Sequence, residues 1–178
     1  MNTAAESRFS VRVTKDTLVF SAAHFITYRG GVCERLHGHN WRVEAAIDGA
    51  LDENSYVFDF IELRDGLMAL VAEMDHRVLL PLEHPRIAVA VSPDGQEVVA
   101  QFENRRWVFP REDCLLLPVA NTTAELIARY LAEHLTDRLQ LRRRVGLVGL
   151  RISVEENFGQ WADFHMPLPG LSLQEDIG

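Results

Sequence analysis

Three histidines and a cysteine near the start of the chain have the types and spacing that chemistry needs. The sharpest local feature is His37-Gly38-His39. On an extended segment, residues two apart point the same way, so both imidazoles can reach one metal ion, and Gly38 adds no bulk between them. Two imidazoles do not make a tight site. His24, at the end of the preceding apolar stretch, is the natural third ligand, because antiparallel pairing would bring it alongside. Three neutral imidazole nitrogens leave the fourth position of a tetrahedral ion open, which is the catalytic arrangement of zinc. Nitrogen ligands and availability favour zinc over copper or iron. A lone histidine is most often an ordinary core or surface residue; a His-x-His with a cysteine four residues before it is much less often accidental.

Cys33 is that cysteine. A thiol close to a dication has its thiolate favoured and can act as a base or nucleophile; the alternative is a small buried hydrophobe. Asp75-His76 is a carboxylate beside an imidazole, which can orient the ring and raise its basicity, or else simply a polar helix end. Glu155-Glu156 ends a late apolar segment. A buried carboxylate there could accept two N–H bonds from a 2-amino-4-oxo heterocycle; the alternative is an exposed acidic pair. His84, His134 and His165 lack partners at ligand spacing and read as structural. Trp41, Trp107 and Trp161 read as core or interface residues.

These groups need a scaffold, and the chain can build one. Its 178 residues suit a single domain, and 47% hydrophobic residues suit a packed core. The net charge of -8 argues against a nucleic-acid surface. Arg142-Arg143-Arg144, the one basic cluster, reads as a solvated helix end. No apolar run is long enough to span a membrane, and MNTAAESRF carries no apolar leader stretch. Two cysteines, Cys33 and Cys114, are too few for a disulfide framework. A single bridge between them stays open, but a free thiol in a reducing cytoplasm fits better.

Residues 9–13 and 18–24 alternate apolar and polar, and the turn at 14–17 predicts an antiparallel hairpin between them. Residues 25–36 hold Gly30-Gly31 and read as a loop. Residues 39–48 alternate again, with Trp41, Val43, Ala45 and Ile47 on one face. A helix follows, capped by Asp59 with Glu62 as capping-box partner, its stripe formed by Phe60, Leu63, Leu67, Leu70, Val71 and Met74. Residues 86–110, with Asp94-Gly95 as a turn, read as an inserted β-hairpin or meander. A second helix opens near Thr122 with Glu125 at the capping-box position, its stripe running from Leu126 to Leu139. Leu147 to Val154 is a last buried strand, and the tail from Pro167 reads as an exposed extension. Strands grouped apart from helices give an α+β fold: an antiparallel sheet with two helices on one face, whose open edges invite oligomerisation.

Phe20-Ser21-Ala22-Ala23-His24 and Cys33-Glu34-Arg35-Leu36-His37-Gly38-His39-Asn40 together resemble the 6-pyruvoyltetrahydropterin synthase family, which includes the 6-carboxytetrahydropterin synthases of queuosine precursor synthesis. The likeness continues through Phe58-Asp59-Phe60, Met74-Asp75-His76, Asn121 to Glu125 and Ile152 to Asn157, in order over about residues 9–160. It implies a single domain over residues 1–178 in the tunnelling fold, with an insert near 86–117. In that fold subunits join their sheets into a barrel, as trimers or hexamers with sites between subunits. It implies zinc on His24, His37 and His39, with Cys33 as general base and Asp75 and His76 as relay partners from a neighbouring subunit. Glu156 is the implied pterin anchor, with Thr123 and Glu125 supporting the pocket. The implied substrate is 7,8-dihydroneopterin triphosphate, and the implied enzyme is a cytoplasmic zinc-dependent lyase. Its product is 6-carboxytetrahydropterin first, with 6-pyruvoyltetrahydropterin or 6-hydroxymethyl-dihydropterin as alternatives. Relatives with a glutamate near the cysteine position make the last of these, so Glu34 is a second candidate base. Asn157 stands where the family usually has Thr, and the 86–117 segment is longer than usual. A pterin- or purine-binding homologue without turnover, and a structural zinc protein closed by Cys33, are the alternatives of a different class.

Overall fold

The computed structural model describes residues 8–170; the leader reading for residues 1–7 and the extension reading beyond residue 170 fall outside the described residues. The main sheet curls into an open half-barrel, and both helices cover one face of it. Its strands are β1 (Phe9–Val13), β2 (Val19–His24), β5 (His37–Gly49), β6 (Arg77–Pro81), β10 (Cys114–Leu117), β11 (Leu147–Asn157) and β12 (Gln160–Pro167). The order across the sheet is β10-β6-β2-β5-β11-β12, with β1 also on β5. A two-stranded ladder joins β3 (Thr27–Tyr28) to β4 (Val32–Cys33). A separate three-stranded sheet is made by β7 (Ala88–Val91), β8 (Glu97–Phe102) and β9 (Arg105–Pro110).

The expected hairpin of the first two strands does not form. Both pair antiparallel with β5: Val13 lies opposite Ala45, and Val19 opposite Arg42. Residues 14–17 therefore interrupt one long edge instead of reversing the chain. Local alternation predicts strands but not partners, and the 13-residue β5 is long enough to pair with both. Nor is the sheet wholly antiparallel. β6 runs parallel to both β2 and β10. Parallel neighbours need a crossover, and the excursion from residue 82 to residue 113, which contains β7 to β9, joins β6 to β10. Both strands are short and proline-flanked, so their sequences show no clean period.

Helix α1 (Phe60–Met74) starts where Asp59 accepts from the amides of Ile61 and Glu62, at 2.6 and 3.1 Å. Such a cap stabilises by about 1 kcal/mol. Glu62 does not close a capping box; it pairs with Arg144 across to the segment after α2. Phe60 lies outside the buried stripe at 55% exposure. Helix α2 (Ala124–Arg138) has Thr123 as its N-cap residue, with no side-chain cap bond. The expected Thr122–Glu125 box is absent because Thr122 donates its hydroxyl to the Phe25 carbonyl at 3.2 Å. Leu63, Leu67 and Met74 of α1 and Ile127, Leu131 and Leu135 of α2 bury themselves against Trp41, Val43, Ile47, Ile152 and Val154 of the sheet. Each such side chain contributes about 1.5–3 kcal/mol by leaving water.

A second apolar cluster lies between the sheets, with Phe25, Leu80, Ile87, Val98, Ala100, Phe102 and Cys114 at its centre. Cys33 and Cys114 are both free thiols. The chain continues past β11 into β12, a strand the sequence did not show; Pro167 ends it and Leu168 is 6% exposed, so the tail expected from Pro167 begins as part of the fold. Among the described residues no helix is long and apolar enough to cross a membrane.

Candidate metal centre and its surroundings

The histidine cluster grows out of the core. Along β5 the residues on the helix-covered face are Ile47, Ala45, Val43 and Trp41, all buried, and the same row continues as His39 and His37. Along β2 the row of Phe20 and Ala22 continues as His24. The β2–β5 register sets His24 opposite His37 and Ala22 opposite His39. Directly paired side chains on one face approach closely, and the ring centroids lie 4.7 Å (His24–His37), 4.9 Å (His37–His39) and 5.4 Å (His24–His39) apart. One nitrogen from each ring falls within 4.8 Å of the others. Trp41 floors the cluster and donates its indole N–H to the Ala22 carbonyl at 3.3 Å. Gly38 lets the strands approach: a Cβ there would sit 3.2 Å from the Ala22 carbonyl oxygen.

Backbone carbonyls choose the tautomers. The His24 Nδ1–H donates to the Thr122 carbonyl at 2.8 Å, and the His37 Nδ1–H donates to the Arg35 carbonyl at 2.9 Å. Both rings therefore present a bare Nε2, with an oriented second nitrogen of the kind found behind metal ligands. His24 Nε2 is buried and has no hydrogen-bond partner among the described residues. Burial, outweighing the Thr122 bond, lowers the His24 pKa to about 4. Burial also lowers that of His39, with His37 adding to the effect. An orphaned, neutral imidazole nitrogen beside two others is a donor set that fits a divalent cation.

Two carboxylates flank the triad without joining it. Glu156 continues the buried row of Leu150, Ile152 and Val154 on β11, and its Oε1 lies 3.3 Å from His24 Nε2. Burial pushes the Glu156 carboxyl up; His37 opposes this, while Glu34 and Glu125 reinforce it. Glu125, in the first turn of α2, thus belongs to the same surroundings; Thr123 is the half-buried residue just before that helix. Glu155 points elsewhere: it accepts from the Gly159 amide at 2.7 Å and faces Arg42. Glu34 brings its Oε2 to 4.0 Å from His37 Nε2. That approach was legible only as an acidic residue three before a histidine.

Cys33 lies outside the set of mutually close ligand atoms. It is half-buried against the second apolar cluster, with its thiol 3.5 Å from the Glu34 carbonyl. Burial raises its pKa, with Arg105 opposing and Glu34 and Glu103 reinforcing. The expected thiolate bias is therefore not supplied by this chain's own charges.

Asp75 and His76 form a separate pair just beyond α1, Oδ2 to Nδ1 2.9 Å. The Ser21 amide donates to Asp75 Oδ1 at 2.8 Å, the main cause of a lowered Asp75 pKa. His76 takes a left-handed φ of 56° while its amide bonds the Ser21 carbonyl, a conformation that non-glycine residues adopt at some cost. His76 borders a cavity of about 460 Å³ that also takes in His39 and Asn40. His84 is structural: its Nε2 meets the Thr27 hydroxyl at 2.7 Å, and its Nδ1 accepts from the amides of Arg86 and Ile87.

Known proteins share this architecture. A 6-carboxy-5,6,7,8-tetrahydropterin synthase of Aquifex aeolicus is 28% identical over 78% of this chain and 77% of its own length. A Methanocaldococcus jannaschii protein described as a candidate for the same activity is 30% identical over 82% of this chain and 88% of its own length. The structure of Plasmodium falciparum 6-pyruvoyl tetrahydropterin synthase superposes with a TM-score of 0.84 at 29% identity, covering 92% of this chain and all of that one. The family model for 6-pyruvoyl tetrahydropterin synthase matches residues 12–167. With its histidine triad at the end of a curled, helix-backed sheet, the chain belongs to the 6-pyruvoyl tetrahydropterin synthase family.

Proposed function

We propose that the chain is a zinc-dependent lyase acting on 7,8-dihydroneopterin triphosphate, with 6-carboxytetrahydropterin as its product. The observation that carries this reading is the meeting of three imidazoles, two with a bare Nε2 fixed by a backbone carbonyl, beside the Glu156 carboxylate. The names of the Aquifex and Methanocaldococcus relatives support the product.

His24, His37 and His39 hold the zinc. A bound zinc supplies Lewis acidity, lowering the pKa of the hydroxyls on the substrate side chain. Glu156 accepts the two adjacent N–H groups of the 2-amino-4-oxo ring, and those charge-assisted bonds favour its ionised form over the protonated form that burial favours. Thr123 and Glu125, at the opening of α2, border the same pocket. Cys33 takes a proton from the reacting carbon framework. The Asp75–His76 pair returns one: Asp75 stays a carboxylate, fixes the Nδ1–H of His76, and leaves its Nε2 to carry the proton. The exposure of this pair, 41% for the Asp75 side chain and 83% for that of His76, fits a role completed by a neighbouring subunit in a cytoplasmic homo-oligomer.

A second reading rests on Glu34. Its carboxylate faces the triad where the Cys33 thiol does not, which favours side-chain cleavage to 6-hydroxymethyl-dihydropterin with Glu34 as base. Incubating the zinc-loaded protein with 7,8-dihydroneopterin triphosphate and weighing the product by mass spectrometry separates these chemistries. A 6-carboxy product supports the first reading and a 6-hydroxymethyl product the second. Substrate binding without any product over hours makes the chain a pterin-binding homologue and refutes both.

A further inference from the structure

The sheet of β7, β8 and β9 touches the loop that carries Cys33 and Glu34 at several polar points. Arg105, on β9, donates its Nη1–H to the Cys33 carbonyl at 2.7 Å. Its guanidinium lies over the Trp107 ring, 4.7 Å from the centroid, and Trp107 stacks on Phe25 at the start of the same loop, centroids 4.4 Å apart. Arg86 reaches the carbonyls of Gly30 and Gly31, both at 3.4 Å, while pairing with Glu103 between β8 and β9. The other end of the Cys33–Glu34 peptide is also held: the Glu34 amide donates to the Ile26 carbonyl at 3.0 Å. From this one peptide the Cys33 side chain leaves toward the apolar cluster and the Glu34 carboxylate toward His37.

We propose that Arg105 is a positioning residue: by gripping the Cys33 carbonyl it locks the Cys33–Glu34 peptide and so fixes the direction of both proton-transfer candidates, Glu34 toward the imidazole triad and Cys33 toward the apolar cluster. The sheet from Ala88 to Pro110 is then a brace for the candidate catalytic loop. A guanidinium donating to a carbonyl is a charge-assisted bond, and stacking on Trp107 limits how far the guanidinium can wander. A catalytic group displaced by about 1 Å can cost about a hundredfold in rate. The grip touches no imidazole, so releasing it should cost turnover and not metal. The inference rests on the proposed role of Cys33 and Glu34.

The test compares Arg105→Met, which keeps the stem and loses the donor, with Arg105→Lys, which keeps charge and a donor. Arg106→Met, an exposed neighbour on the same strand, is the control. With zinc-loaded protein and 7,8-dihydroneopterin triphosphate, R105M should lose at least about tenfold in kcat, with KM within about twofold and zinc still one per chain. R105K should recover most of the loss, and R106M should match the wild type. Hydrogen exchange on the unmodified protein gives a second reading that no folding failure of a variant can spoil: the Glu34 amide should be protected to the same level as the amides shared by β8 and β9. An unchanged kcat in R105M, or a Glu34 amide exchanging as in a free peptide while β8 and β9 stay protected, overturns the brace alone. A wild-type protein that turns over no substrate overturns the proposed function, and this inference with it.

Discussion

Acidifying the metal-free protein should destabilise it through His24. The ring is 1% exposed in its side chain, its pKa falls to about 4 in the folded chain, and its ordinary value is 6.5. Above pH 6.5 the ring is neutral in both folded and unfolded states and contributes no pH dependence. Between pH 6.5 and 4 the unfolded chain binds a proton that the folded chain refuses, so stability falls as pH falls. At pH 4.5 the loss from this one ring comes to about 2.5 kcal/mol relative to pH 7.5, a large share of a typical 5–15 kcal/mol. His39, also lowered, adds in the same direction, whereas Glu156, raised, acts in the opposite sense as the pH approaches the carboxylate range. His24→Asn isolates the ring, since its amide can still donate toward the Thr122 carbonyl. Urea unfolding in the presence of a chelator, at pH 7.5 and 4.5, should show the wild type losing about 2–3 kcal/mol more than His24→Asn. Equal losses in the two proteins would refute the reasoning that the buried ring stays neutral.

Zinc at about a thousand times its Kd should add about 4 kcal/mol of stability and raise Tm by about 8–16 °C in a scanning melt; the same shift in His37→Ala would show that the triad is not the site. Cys33→Ala should keep one zinc per chain by elemental analysis and lose turnover; full turnover would move the base to Glu34. Gly49→Ala should lower the free energy of urea unfolding by about 1–3 kcal/mol and the midpoint with it, because its Cβ would sit 2.7 Å from the Gly146 carbonyl oxygen, where only backbone can give way; an unchanged midpoint would mean that the start of β11 yields freely.

Residues whose neighbours are fixed by one element were legible in the sequence. The alternation of β5 put Trp41 through Ile47 on the core face and carried His39 and His37 onto it. Asp59 announced α1, while the acidic end of β11 offered Glu155 and Glu156 alike and only the family resemblance chose Glu156. What escaped is non-local. β6 and β10 are parallel, short and proline-flanked, and their pairing depends on a crossover that no local period encodes. The residues at 14–17 look like a hairpin turn, and only the length of β5 shows that they interrupt an edge. Thr122 sits where a capping box would, yet its hydroxyl serves the Phe25 carbonyl nearly a hundred residues away. The different surroundings of Cys33 and Glu34 also escaped, because they depend on Arg105 and Trp107 arriving from β9.

X-ray absorption at the zinc edge of the loaded protein reads the ligands of the ion themselves. Three imidazole nitrogens and one light, non-protein ligand at about 2.0–2.1 Å, the last displaced when substrate is added, is the result predicted. A sulfur shell at about 2.3 Å, or a fourth protein ligand that substrate does not displace, would contradict it.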